Sequence, residues 1–308
     1  MSSCRPPQVE VQIKRLFAVL ALAMMTIATS QCGDAPQTEM QGLAQLTKDA
    51  LAGDAEAQYH LGVMYGDGDG VAQDPAEAMK WYRLAADQGV ADAQRVLGDM
   101  YRKGEGADQD YTETVRWYRL AADQGDAAAP YNLGVMYHRG DGVTRDAAEA
   151  MKWFRLAADR GHAYAQNSLG VGFRKGEGVA KSDAEAVKWY RLAADQGHAE
   201  AQYHLGFMYA HGDGVEQDDT AAVTWYRLAA EQGDSFAQAS LGVHYYRGDG
   251  VVEDFVEAYK WLNLATAQGA DEARQFRDLL AARMSKEQIA EGQKLSTDFR
   301  VTKSDTRR

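Results

Sequence analysis

The sequence predicts an all-α fold: a solenoid of six 36-residue helical hairpins closed by helical caps. Three observations carry this. The six tryptophans, Trp81, Trp117, Trp153, Trp189, Trp225 and Trp261, follow one another at intervals of 36 residues without slippage. The stretch EAMKWYRLAADQG (77–89) returns as ETVRWYRLAADQG (113–125) and in related forms at 149, 185, 221 and 257. Four glycines recur in each unit, as in Gly62, Gly68, Gly70 and Gly89, and account for most of the 30 in the chain. A fixed period of this length marks an array that grows by stacking and not by enlarging one core. The recurring glycines read as punctuation.

Lys14-Arg15 precedes the apolar run LFAVLALAMMTIA (16–28), followed by small polar residues. A basic segment, a short apolar run and a small-residue end form a secretory signal, here over 1–31. The run is short of the ~20 residues a spanning helix needs. Cys32 follows in Thr29-Ser30-Gln31-Cys32, where two outcomes stay open: lipid attachment to Cys32, or plain cleavage after Ser30. Residues 32–53 read as a polar linker to about residue 40, then an N-terminal half-repeat over Leu43–Leu51 that caps the stack.

The first full unit is 54–89. Ala57, Leu61, Met64 and Tyr65 share one face at helical spacing, which predicts helix A over about 55–65. After the loop GDGDGVAQ, Asp74 is an N-cap, Pro75 opens the helix and Glu77 sits at its third position. Ala78, Trp81, Tyr82 and Ala85 form the apolar stripe of helix B, and Gly89 ends it. The other units are 90–125, 126–161, 162–197, 198–233 and 234–269. Their helix B caps are Asp110, Asp146, Ser182, Asp218 and Asp254, all with a short side-chain acceptor. An amphipathic helix over 270–284 and a second over 286–298, with Ser285 and Gln288 as a capping box, close the stack. Residues 299–308 read as a flexible tail.

Net charge is −12, and removal of 1–30, which hold Arg5, Lys14 and Arg15 against Glu10, would make it −14. This excludes a general nucleic-acid binder, which needs clustered Lys and Arg. The cysteines are Cys4 and Cys32, so the repeats hold no disulfide framework and no thiolate metal site.

The repeated motif A-x-A-Q-x-x-L-G-x-M-Y-x-x-G-x-G-V-x-x-D-x-x-E-A-x-x-W-Y-R-x-A-A closely resembles the Sel1-like repeat, a relative of the tetratricopeptide repeat. The period of 36 and the Trp in the second helix separate it from the 34-residue tetratricopeptide form. The resemblance spans 54–269 and implies a right-handed α/α solenoid that serves as a scaffold or adaptor for a protein or peptide. It also implies that helix A lines the concave groove. Exported regulators and lipid-anchored envelope scaffolds belong to the family. So does a cysteine-rich secreted branch linked to β-lactam binding; its per-repeat disulfides are missing here, so that activity is not carried over.

No enzymatic constellation stands out, and no cofactor or metal is expected; a cell-wall-active or β-lactam-binding enzyme of the secreted Sel1-like type and a lipid-anchored envelope assembly scaffold stay open as alternatives. The Gly-x-Gly loops carry acidic residues that would repel a phosphate, and Asp67-Gly68-Asp69-Gly70 lacks the order of a calcium loop. The Trp-Tyr pairs read as core. His60 and His204, and His162 and His198, occupy matched repeat positions and read as isolated surface histidines. With Ala57, Leu61 and Tyr65 inward, helix A turns a variable face outward. Tyr59, His60, Arg95, Tyr131, Asn132, Tyr164, Asn167, Tyr203, His204 and Phe236 fall on it. Amphipathic rings and adaptable polar groups suit partner binding there; an ordinary half-exposed helix face is the alternative. Gly172, in place of the usual Met, and Pro130, in place of the usual Gln, mark the helix A layer of 126–175 as the expected weak point. Gly172→Met is expected to stabilise if Gly172 leaves an uncompensated gap.

Overall fold

The computed structural model describes residues 35–300, with side chains from residue 41 onward. Fifteen helices and no strand occur among the described residues. Helix α1 (Ala35–Ala52) precedes six hairpins. These are α2 (Ala55–Asp67) with α3 (Pro75–Asp87), α4 (Ala91–Lys103) with α5 (Tyr111–Asp123), and α6 (Ala129–Arg139) with α7 (Ala147–Asp159). They continue as α8 (Ala163–Lys175) with α9 (Asp183–Asp195), α10 (Ala199–His211) with α11 (Asp219–Glu231), and α12 (Ser235–Arg247) with α13 (Phe255–Ala267). Helices α14 (Asp271–Ala281) and α15 (Lys286–Asp298) finish the stack against α13.

The predicted helix starts hold. Asp74 accepts from the backbone N–H groups of Ala76 and Glu77, and Asp110, Asp146, Ser182, Asp218 and Asp254 cap their helices alike. Ser285 and Gln288 form the expected capping box. Three boundaries move. Helix α1 begins at Ala35, inside the stretch read as linker. The helix expected over 270–284 stops at Ala281. The tail is pinned at its start, where Phe299 packs edge-on against Trp261 at 5.4 Å. The signal segment 1–31, Cys32 and residues 301–308 lie outside the described residues.

The core is a ladder of Ala, Leu and rings. Trp81, Trp117, Trp189 and Trp261 are buried, whereas Trp153 and Trp225 are half-buried. One glycine per unit is not punctuation. Gly98 lies inside α4, and a Cβ there would come within 2.7 Å of the Tyr118 ring. Gly62, Gly134, Gly170 and Gly206 meet Tyr82, Phe154, Tyr190 and Tyr226 in the same way. Helix A thus lies flat on the helix B ring, a close approach only Gly allows.

A buried glutamine clasp joins successive units. Gln202 on α10 donates to the carbonyl of Ala194 on α9 at 3.1 Å, and Gln232, ending α11, donates to Gln202 Oε1 at 2.7 Å. The clasp repeats through Gln58 with Gln88, Gln94 with Gln124, Gln166 with Gln196, and Gln238 with Gln268. Repeat 3 lacks it, having Pro130 and Arg160 at the two positions.

Both expected defects are compensated. Pro130 falls in the first turn of α6, where an N–H has no helical partner in any case. The cost is a helix of 11 residues against 13 in the other A helices. Gly172 is not an unfilled gap: a Cβ there would lie 2.5 Å from Met151 Sδ, because Met151 reaches across from α7. Gly172→Met is therefore not expected to stabilise, since its side chain would first have to displace Met151.

Candidate functional site

The outward face of helix A begins with residues that lean on their own repeat. Tyr59, Tyr131 and Tyr203 lie over Tyr82, Phe154 and Tyr226, with ring centroids 5.8, 5.9 and 6.0 Å apart. Each is half-buried, and burial pushes each phenol above its ordinary range. They serve the core as well as the surface. Tyr164 and Phe236 instead stand clear, 58% and 66% exposed.

Between these residues run ring contacts that cross repeats, in two separate groups. Tyr131 stacks on His162 at 4.7 Å, and Tyr164 meets the edge of His198 at 4.5 Å. Tyr203 meets Phe236 at 5.7 Å. The histidines are not isolated on the surface. His162 and His198 are the N-caps of α8 and α10; their Nδ1 atoms accept from the backbone N–H groups of Ala165 and Ala201 at 3.2 and 3.3 Å. Burial holds both imidazoles below the ordinary range, which suits an acceptor nitrogen. His60 and His204 each pair with a carboxylate one turn earlier, Glu56 at 3.4 Å and Glu200 at 3.6 Å. Of the four matched histidines only His60 is exposed.

Arg95 is committed. It reaches Asp92 at 3.4 Å, Asp99 at 3.5 Å and, across to repeat 3, Asp126 at 3.2 Å. This makes it a pin between units and leaves little of it for a partner. Asn132 is half-buried. Asn167 departs from its expected outward position: it is 6% exposed. Its side chain is shorter than the Tyr at the matched positions, so it stays beneath the surface, close to Glu200. The Glu200 carboxyl is held below its usual range, first by the hydrogen bond from His204 and also by the nearby Asn167 amide.

These side chains border a cavity of about 250 Å³ along helices α6, α8 and α10. Tyr131, Tyr164, Asn167 and Glu200 stand at one end; His138, Arg139 and Glu177 stand at the other. Sequence reasoning placed the face but missed the hollow, because its floor, Phe154 and Met151, comes from helix B of repeat 3.

The Sel1 repeat model matches six consecutive segments, 55–90, 91–126, 127–162, 163–198, 199–234 and 235–269. The chain belongs to the Sel1 repeat family. Members are generally scaffolds for protein interaction and typically lack enzymatic activity. Among solved structures, a Sel1 repeat protein from Oxalobacter formigenes is 33% identical with a TM-score of 0.69, covering 74% of this chain and 93% of its own. A protective antigen of uropathogenic Escherichia coli with an SLR fold is 27% identical, with a TM-score of 0.47 and coverage of 84% and 79%. An immunity protein from Pseudomonas aeruginosa is 23% identical with a TM-score of 0.40, covering 69% of this chain and 81% of its own. No curated protein sequence matches the chain.

Proposed function

We propose that this Sel1 repeat chain is a non-enzymatic scaffold that holds a peptide segment of a partner protein along its helix A face. The observation that carries the reading is two runs of ring contacts across repeats, Tyr131 to His198 and Tyr203 to Phe236, which together span four units and include the exposed rings of Tyr164 and Phe236. A soluble surface has little reason to expose rings in a row unless they meet something. Rigid amphipathic rings bind with small loss of side-chain entropy.

The test is the double variant Tyr164→Ala/Phe236→Ala. These rings stand off the core, so helical circular dichroism should be unchanged while partner capture from envelope extract is lost. Replacing Tyr59, Tyr131 and Tyr203 would be a poorer test, since each packs on a buried ring. Capture at the wild-type level would move the binding surface to the interhelical loops.

We place the work of this scaffold outside the cytoplasm, on the basic and apolar pattern of residues 14–28. N-terminal sequencing from the native host should begin near Gln31 or Cys32, and recovery of Met1 would refute export. Fatty-acid labelling of Cys32 separates the lipid-anchored form from the soluble one.

A further inference from the structure

The cavity beside Tyr131 holds one of the few buried polar atoms of the helix A face that lack a partner, the others being His198 Nε2 and His204 Nδ1. Asn167 lies buried against it and its Oδ1 has no hydrogen-bond partner. The orientation of this amide follows from its neighbour. An ionised Glu200 can only accept, so the Asn167 NH₂ group must face the carboxylate, leaving the carbonyl oxygen without a donor. Buried acceptors without donors are rare in folded proteins, and each one asks for an explanation.

The surroundings define the missing donor. Glu200 supplies a negative charge, and the rings of Tyr131 and Tyr164 line the same end. A carboxylate, a free carbonyl oxygen and aromatic faces together select a cation that carries N–H donors. Phe154, Met151 and Val135 make the adjoining wall apolar. The favoured group therefore has an aliphatic stem and a charged head.

Volume narrows the class. A cavity of about 150 Å³ takes a benzene ring, and drug-sized ligands fill roughly 300–1,000 Å³. At about 250 Å³ this hollow fits one amino-acid side chain better than a cofactor. Two groups at the far end bear on a bound cation. His138 is paired with Glu177 at 3.5 Å. Arg139 lies two helical turns beyond Tyr131 on α6, ~12 Å along the axis; its charge still reaches Tyr131, so a cationic head belongs at the Glu200 end.

We propose that this cavity is the anchor pocket of the groove and takes a lysine or arginine side chain from an extended segment of the partner protein. The stem lies on Phe154 and Val135, and the head lies between Tyr131, Tyr164, Asn167 Oδ1 and Glu200. The inference rests on the helix A reading of the function. It adds the chemistry of the partner and its place in the groove.

The experiment uses the full chain and labelled, acetylated octapeptide mixtures. One position is fixed in turn as Lys, Arg, norleucine, Phe or Glu, the others are randomised, and binding is read by fluorescence anisotropy. The Lys and Arg mixtures should bind roughly tenfold more tightly than the norleucine mixture, the scale of one charge-assisted contact. Glu200→Gln should bring that ratio close to one. Its side chain is 58% exposed, so the melting temperature should hardly move. Asn167→Leu should do the same, and if it fails to fold, Glu200→Gln decides. Equal binding of lysine and norleucine mixtures, a preference for Phe or Glu, or a cation preference that survives Glu200→Gln would overturn the pocket. Side-chain-blind binding that is lost in Tyr164→Ala/Phe236→Ala would overturn the pocket and leave the groove standing. Binding of none of the mixtures would overturn both.

Discussion

The joint between repeats 4 and 5 and the joint between repeats 2 and 3 do the same mechanical work by different chemistry. In the first, the neutral clasp joins buried Gln202 to the Ala194 carbonyl and to half-buried Gln232. In the second, Pro130 and Arg160 remove both glutamines, and Asp126 takes over. Its side chain accepts from the backbone N–H groups of Ala128 and Ala129 at 2.9 and 2.6 Å and from Arg95 at 3.2 Å. Its carbonyl accepts from Arg160 at 2.9 Å. The two glutamines of a clasp are 30 residues apart, yet the chain has both or neither. The lesson is that a joint is a two-residue unit, and that a solenoid tolerates a change of chemistry at one joint because each unit contacts only its neighbours. The neutral joint should ignore salt, while the ionic one should weaken as salt screens it.

The largest expected effect tests whether the core on either side of the ionic joint differs as its burial suggests. Trp117, 1% exposed, precedes the joint; Trp153, half-buried, follows it. Trp117 also donates its indole N–H to Glu113 at 3.0 Å. Trp117→Ala should cost about 3–5 kcal/mol in urea denaturation, and Trp153→Ala clearly less. Equal losses would mean that exposure of the ring does not report the strength of its layer.

A smaller effect tests the clasp itself. Gln202→Leu strands the Ala194 carbonyl and leaves the half-buried Gln232 amide with only its bond to the Leu228 carbonyl, and should cost about 1–3 kcal/mol. Hydrogen exchange should show the end of α9 and the start of α10 opening more easily. The reverse experiment installs a clasp at repeat 3. Pro130→Gln with Arg160→Gln should gain about 1 kcal/mol, and neither change alone should help. Strict additivity of the two single changes would refute the pairwise account.

The contrast also shows what could be read from residues alone. The period, the hairpins and the helix B caps were legible because each rests on local chemistry: a Trp every 36 residues, an Asp or Ser before each helix B, a Gly just after it. The clasp was present as recurrent glutamines but unreadable, since a polar residue on a helix signals solvent and its partner lies 30 positions away. Asn167 shares its repeat position with Tyr131 and Tyr203, so no periodicity could tell that it sinks beneath them. The filling of Gly172 by Met151 is likewise a contact between units, invisible in the pattern of either. The start of α1 at Ala35 escaped because its first turns, APQTEM, carry no apolar period.

The smallest expected effect concerns the first turn of helix A, where the units again divide by chemistry. Repeats 1 and 6 open it with Asp54 and Asp234, which accept from the third backbone N–H at 2.8 Å. Repeats 4 and 5 use His162 and His198 for the same bond. Burial lowers both histidine pKa values in the fold, so the unfolded chain binds the proton more readily. Their contribution to stability is complete above the unfolded value of about 6.5, and it falls as pH drops below that towards the folded values. Glu200, lowered by His204, acts with the same sign but nearer the carboxylate range. Asp234, raised by burial, acts with the opposite sign, also in that acid range. Between about pH 7 and pH 5.5 the histidine caps should therefore dominate, and the melting temperature should decline. His162→Asn/His198→Asn keeps a side-chain acceptor at both caps and removes the titration, so its decline should be flatter. A double variant that keeps the wild-type slope would assign the acid sensitivity to groups other than the caps.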